Sequence, residues 1–137
     1  MLGFYKKLSC IMSAYRNIAL KGFKRSGKDT IADYLGRNYG YRRYAFADEV
    51  KSIVQRLFDL RHEEVYGDLK DTPCERWGGV TPRRLLNVFG TDLMIDTLWE
   101  REPQIRTALN YKSIWIKHFE NLMESNPNTH WVVSDVG

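Results

Sequence analysis

Gly22-Phe23-Lys24-Arg25-Ser26-Gly27-Lys28-Asp29-Thr30 is the stretch that decides the fold of this chain. It follows a short apolar run, Ile18-Ala19-Leu20, and opens a helix-like segment, Ile31-Ala32-Asp33-Tyr34-Leu35. Strand, glycine-rich loop, helix is the setting of a phosphate-binding P-loop, G-x-x-x-x-G-K-[ST]. The glycines allow the main chain to fold into a concave nest of N–H donors. The helix N-terminus behind the loop adds partial positive charge. Lys28 is placed to reach the β- and γ-phosphates of a nucleotide. The stretch therefore reads as a nucleoside triphosphate site serving phosphoryl transfer.

One position departs from the motif. Asp29 stands where a Ser or Thr hydroxyl would touch Mg²⁺, and Thr30 follows one place later. Asp29 either holds the metal through water, since Mg²⁺ keeps several waters and favours carboxylates, or is a first-turn carboxylate at a helix N-terminus. The correct context on both sides and the basic pair Lys24-Arg25 weigh against a chance glycine turn.

The rest of the composition bounds the answer. The chain has 137 residues, of which 43% are hydrophobic and 28% charged, ordinary values for one globular domain with a sizeable core. No apolar run approaches the ~20 residues needed to span a bilayer. Cys10 and Cys74 are far apart and show no metal spacing, so free thiols in a reducing cytoplasm are the expectation. His62, His118 and His130 form no metal-binding pattern. The net charge of +4 suits an anionic partner. Basic residues gather in three places: Lys21 to Lys28, Arg42-Arg43 and Arg83-Arg84. That separation fits convergent phosphate contacts better than a continuous nucleic-acid stripe, and neither a nucleic acid nor a membrane is expected as a partner.

Residues 1–15 read as an N-terminal extension and residues 16–137 as the domain. Arg16 to Lys21 is expected as a buried parallel strand, and Lys28 to Tyr39 as a helix stopped by Gly40. Tyr41 to Phe46 reads as a second strand, and Asp48 to Leu60 as a helix carrying Val50, Ile53, Val54, Leu57 and Phe58 at helical spacing. Arg61 to Val80 is rich in turn residues and charge, the composition of a mobile connection. Thr81-Pro82 starts a helix, with Thr as cap and Pro in the first turn, which Gly90 is expected to interrupt. Glu100 to Leu109 suggests a short helix, Ser113 to Met123 a longer one, and Trp131-Val132-Val133 a third buried strand. Alternating strands and helices give an α/β class, a parallel sheet with flanking helices around the P-loop.

A second chemical position follows from that layout. Asp135 ends the last strand, where a Walker-B-type acid helps hold Mg²⁺. Ligands of open α/β sheets sit at the carboxyl ends of strands, so Asp135 and the loop are expected on one rim. An Asp in a turn after a strand is also very common. Arg83 and Arg84 diverge by about 100° if helical. One of them then faces an anionic ligand, for which arginine supplies bidentate contacts; a plain exposed pair fits the pattern equally well.

These blocks together resemble the deoxynucleoside monophosphate kinases of phages and large viruses. The likeness rests on Asn17 to Leu35 with its Gly-Lys-Asp-Thr variant and on Tyr44-Ala45-Phe46-Ala47-Asp48-Glu49-Val50-Lys51. It extends to Thr81-Pro82-Arg83-Arg84-Leu85-Leu86 with Phe89-Gly90-Thr91-Asp92-Leu93, and to Trp131 through Val136. The resemblance implies transfer of the γ-phosphoryl of ATP to a deoxynucleoside monophosphate, with ATP and Mg²⁺ required. It implies that Gly22, Lys24, Arg25, Ser26, Gly27, Lys28, Asp29 and Thr30 cradle the phosphates, with Asp29 and Asp135 toward Mg²⁺. Lys51, Arg83 and Arg84 are implied for the acceptor's phosphate, with Asp48 and Asp92 positioning substrate or arginines. Lys28, Arg83 and Arg84 would act on the transferred group. The implied location is the cytoplasm, that of the host cell if the protein is viral.

The family pattern continues past Asp135-Val136 with an arginine and further elements, so the domain is expected to be incomplete at its C-terminus. With three strands, one sheet edge lacks its usual neighbours, and pairing with another copy or poor stability is expected. Two alternatives stand beside the kinase: a non-catalytic nucleotide-binding fragment, and a P-loop kinase for another phosphorylated acceptor such as phosphomevalonate.

Overall fold

The computed structural model describes residues 17–23 and 26–136. Residues 1–16, Lys24, Arg25 and Gly137 lie outside them, and with them the expected N-terminal extension and two residues of the expected phosphate cradle. The chain forms two compact units, one built from residues up to Phe46 together with those from Asn121 onward, the other from Ala47–Glu120.

The first unit is α/β. Strands β1 (Ile18–Ala19), β2 (Arg42–Tyr44) and β3 (Trp131–Val133) form a parallel sheet in the order β1-β3-β2. Ala19 and Tyr44 both pair with Val133. Apolar residues on successive positions of β3 explain its place: all three are buried, as a strand covered on both faces requires. β2 is an edge strand with Arg42 and Arg43 exposed and only Tyr44 buried. The Arg42 guanidinium lies 5.1 Å from the Trp131 ring centroid. β1 is the other edge. It is shorter than the expected Arg16–Lys21, because its ladder extends only as far as a three-residue neighbour provides partners, with one more bond from Leu20 N–H to Val133 O at 2.7 Å.

Helix α1 (Lys28–Tyr39) has the expected bounds. It ends at Gly40, whose φ of 70° places it in the left-handed region, where glycine carries no Cβ penalty. Its inner face closes a core of Leu20, Ala32 and Val132, with Ile18, Ile31, Leu35 and Tyr41 around it.

The second unit is helical. Helix α2 (Phe46–Leu57) starts in the first unit and supplies Val50 and Val54 to a core with Leu60, Val65, Cys74, Phe58, Leu85, Leu86 and Phe89. Arg61 to Val80 is not a mobile connection. It contains α3 (His62–Val65), a short 3-10 turn (Glu75–Trp77) and an antiparallel bridge between Cys74 and Val80. Its centre is Glu64, 3% exposed. The Glu64 carboxylate accepts hydrogen bonds from Arg76 Nη1 and Nη2 at 3.0 and 2.7 Å and from the Arg61 N–H at 2.7 Å. The Arg76 contact, more than any other, holds the Glu64 pKa down to about 2. Cys74, a free buried thiol, has its pKa raised, first by burial and then by the Glu64 charge. Trp77 Nε1 donates to Phe58 O at 3.0 Å.

Helix α4 (Pro82–Asn87) begins as its sequence requires: Thr81 Oγ1 accepts the Arg84 N–H at 3.1 Å and Pro82 occupies the first turn. Gly90 does not break it. The helix runs on through a π-helical stretch, Val88–Thr97, into α5 (Leu98–Arg101). Gly90 is needed for space: a Cβ there would sit 3.1 Å from Val50 Cγ1. Its carbonyl accepts the Trp115 indole N–H at 2.8 Å. Helices α6 (Pro103–Ala108) and α7 (Ile114–Ser125) follow. No helix among the described residues is long and apolar enough to cross a membrane.

Candidate functional site

β1 delivers the chain to the rim of the sheet and α1 takes it away again, so the intervening loop is pinned at both ends. Leu20, buried, is the last anchored residue of the incoming strand. A turn closes where Ser26 N–H donates to Phe23 O at 3.1 Å. Gly27 follows with φ 89° and ψ 13°. An L side chain is strained at that φ, so the reversal into the helix requires glycine. Ile31 N–H donates to Gly27 O at 3.1 Å, which starts the helical ladder. The first N–H groups of a helix have no intrahelical acceptor, and they carry the positive end of its dipole. Gly27, Lys28, Asp29 and Thr30 line a cavity of about 280 Å³ over this helix start.

The charged groups of the loop are arranged differently from one another. Lys28 Nζ donates to Gly22 O at 2.9 Å, spanning the loop from its last turn to its first residue. Its partner there is a carbonyl dipole, not a carboxylate. Asp29 Oδ1 lies 3.5 Å from Arg43 Nη2 on β2, an exposed pair of small energetic worth. Ser26 and Thr30 are exposed.

Asp135 lies beyond the end of β3. Because Ala19 pairs with Val133, Asp135 and Lys21 leave the sheet at the same rim. Its carboxylate has a structural task as well: Oδ1 accepts the Phe46 N–H at 2.9 Å, satisfying a donor at the start of α2. The preceding residue was missed by sequence reasoning. Ser134 is 3% exposed, and its hydroxyl has no partner among the described residues. Strand alternation puts it on the face of Val132, the face that packs against α1. A buried hydroxyl without a partner is costly, and Ser134 stands beside Asp135 at the rim.

The candidate acceptor residues all belong to the helical unit. Asp48 and Lys51 are three apart on α2 and share a face. The Lys51 ammonium is 5.1 Å from the Tyr66 ring centroid. Tyr66, stacked on His62 with centroids 5.0 Å apart, has its hydroxyl pKa raised by burial and then by the Asp48 charge. Arg83 and Arg84 diverge as helical neighbours must, but each faces an acid. Arg83 makes a two-oxygen contact with Asp71, Nε to Oδ1 at 2.6 Å and Nη2 to Oδ2 at 3.1 Å. Arg84 Nη2 lies 3.5 Å from Asp92 Oδ2. Asp71 and Tyr66 were not identified from the sequence. Their partners lie at separations set by the folded Arg61–Val80 segment, which carries no periodic signal.

Comparison with known proteins adds the decisive observation. The family model described as deoxynucleotide monophosphate kinase matches residues 16–80. A protein of that kinase name from Acanthamoeba polyphaga mimivirus is 41% identical over 125 residues, covering 87% of this chain and 62% of the relative. By sequence the chain is a relative of the deoxynucleotide monophosphate kinases. The deoxynucleotide monophosphate kinase of Escherichia phage RB69 is 30% identical over 133 residues, covering 85% of this chain and 54% of its own length. That of Enterobacteria phage T4 is 32% identical over 87 residues, covering 61% of the chain and 34% of the phage protein. The chain thus spans little more than half the length of the first two kinases. No solved structure matches it. The kinase model covers β1, the glycine-rich loop, α1, β2, α2 and the segment centred on Glu64.

Proposed function

We propose that this chain carries the nucleotide-binding loop and the acceptor-side helix of a deoxynucleoside monophosphate kinase, transferring the γ-phosphoryl of ATP to a deoxynucleoside monophosphate. The observation that carries this reading is the loop: left-handed Gly27 turning into a helix that opens with Lys28, over a cavity lined by Gly27 to Thr30. This is the construction that a polyphosphate tail requires, N–H donors and a helix N-terminus aimed at an anion.

In the reaction a phosphate oxygen of the acceptor bonds to the γ-phosphorus while the bond from γ-phosphorus to the β–γ bridging oxygen breaks. ADP leaves with that electron pair, and a deoxynucleoside diphosphate forms. The transition state is loose, so the protein's task is placement and charge. Lys28 exchanges its Gly22 carbonyl for phosphate oxygens, a gain because the charged acceptor makes the stronger hydrogen bond. Ser26, Gly27, Asp29 and Thr30 supply main-chain donors, and Gly22, Lys24 and Arg25 complete the cradle. Arg83, Arg84 and Lys51 draw in the acceptor phosphate, and Asp48 and Asp92 orient that side.

The carboxylates of Asp29 and Asp135 are oxygen donors of the kind Mg²⁺ favours and would hold it directly or through water; Ser134, next to Asp135 in the chain, has a buried hydroxyl without a partner among the described residues. Mg²⁺ supplies positive charge that offsets repulsion between the two phosphates.

The test is incubation of the chain with ATP, Mg²⁺ and each deoxynucleoside monophosphate in turn, reading diphosphate. Conversion of at least one acceptor is expected. ATP binding without turnover of any acceptor replaces this reading with that of a nucleotide-binding fragment. Turnover of a phosphorylated non-nucleotide alone replaces it with a different kinase.

A further inference from the structure

We propose that Asp71 is a positioning residue for Arg83, fixing its guanidinium for the acceptor's phosphate. The inference rests on the role given to Arg83 above and adds a residue that neither the motif nor the sequence spacing identified.

Residues 70 and 71 grip Arg83 twice. The Arg83 N–H donates to Lys70 O at 2.9 Å, and both Asp71 oxygens engage one edge of the guanidinium at 2.6 and 3.1 Å. A guanidinium is a rigid planar fork. With Nε and the inner N–H of Nη2 committed, the outer N–H of Nη2 and one N–H of Nη1 share one plane and one direction. The geometry leaves the second edge of the fork for a second anion. Fixing the side chain before the ligand arrives removes rotamer entropy that binding would otherwise cost.

The pair is poorly placed to act as a stability device. Its side chains are 45% and 70% exposed, and surface pairs contribute little to folding. Arg84 provides the contrast: its approach to Asp92 at 3.5 Å is a single looser contact and leaves that side chain less constrained.

The experiment uses the full chain and three variants, Asp71→Asn, Asp71→Glu and Arg83→Ala. Calorimetry measures the affinity for each deoxynucleoside monophosphate, with inorganic phosphate as competitor and ATP with Mg²⁺ as the internal reference. Asp71→Asn is expected to weaken monophosphate binding about tenfold, a loss of the order that orientation supplies. ATP affinity and melting temperature stay unchanged, and Asp71→Glu, which keeps two oxygens, recovers most of the loss. Unchanged or tighter monophosphate binding in Asp71→Asn, with Arg83→Ala still weakened, overturns the role of Asp71 alone and makes it a bystander or a competitor for Arg83. Parallel losses of melting temperature and ATP affinity assign Asp71 to folding and also overturn the proposal. If Arg83→Ala binds monophosphates normally, or the unmodified chain binds none, the acceptor-side reading fails and this role falls with it.

Discussion

Two segments of this chain look alike as sequence and differ as structure. Gly22 to Thr30 and Arg61 to Val80 both combine glycine, charge and turn residues. In the second, the buried charge is met by charge: Glu64 lies under Arg76, with Arg61 beside it, and Trp77 is tied to Phe58. In the first, among the described residues, the lysine that opens the helix meets a carbonyl, Asp29 makes a loose exposed pair with Arg43, and Gly27 to Thr30 line an open cavity. A segment whose charges are mutually satisfied serves as scaffold. A segment whose lysine meets a carbonyl dipole at a helix N-terminus is, on the reading proposed above, prepared for an anion from outside.

That contrast can be broken at either end. The largest effect is expected from Lys28→Ala, which should lower phosphoryl transfer about a hundredfold or more, the usual consequence of losing a charge-stabilising donor. Its unfolding free energy should stay within about 0.5 kcal/mol of the parent, as for a surface change. A stopped assay and a thermal melt on the same preparation separate the two. A large drop in stability would mean that the loop is scaffold too.

Arg76→Met is the converse. It strands a buried carboxylate, a change that costs several kcal/mol in a dry core. Arg76 is 44% exposed, so water offsets part of that loss, and a clear drop in melting temperature, short of complete unfolding, is expected. ATP affinity, measured below the lowered midpoint, should not move.

The same pair sets a pH signature. The Glu64 pKa is lowered from 4.5 to about 2 in the folded protein. The unfolded chain therefore binds this proton more readily, and stability falls with acid. Glu64's contribution is complete above pH 4.5 and disappears as pH falls through about 2. Denaturant midpoints between pH 6 and pH 2 should show a steeper acid decline for the parent than for Arg76→Met. Parallel curves would remove Arg76 as the cause.

The smallest effect is expected from Trp77→Phe, which keeps an aromatic ring near Phe58 and deletes the indole's bond to the Phe58 carbonyl together with part of its ring surface. About 1 kcal/mol is expected in a urea titration. No change would show that water replaces the indole.

What was legible in the sequence was local. Lys28 to Tyr39 has a glycine at each end and an apolar stripe between, and its bounds hold. Thr81-Pro82 announces a helix start through one hydroxyl and one fixed φ. Trp131 to Val133, three large apolar residues together, could only be an inner strand. The features that escaped depend on partners distant in sequence. The lengths of β1 and β2 are set by β3, more than eighty residues away. Gly90 reads as a helix breaker until Val50 is seen against it, where the missing Cβ permits close packing. The order in Arg61–Val80 comes from ion pairs at separations with no period. Asp135 was read as a metal-side acid, and its hydrogen bond to the Phe46 N–H needed the sheet order to be known.

The central claim is that the bend between β1 and α1 grips a nucleotide's polyphosphate. It is tested most directly by titrating ATP with Mg²⁺ into the parent chain and into Lys28→Ala in a calorimeter. One saturable site in the parent, and at least tenfold weaker binding in the variant, is the predicted result. A folded parent chain that gives no binding heat, or a variant that binds equally well, would contradict it.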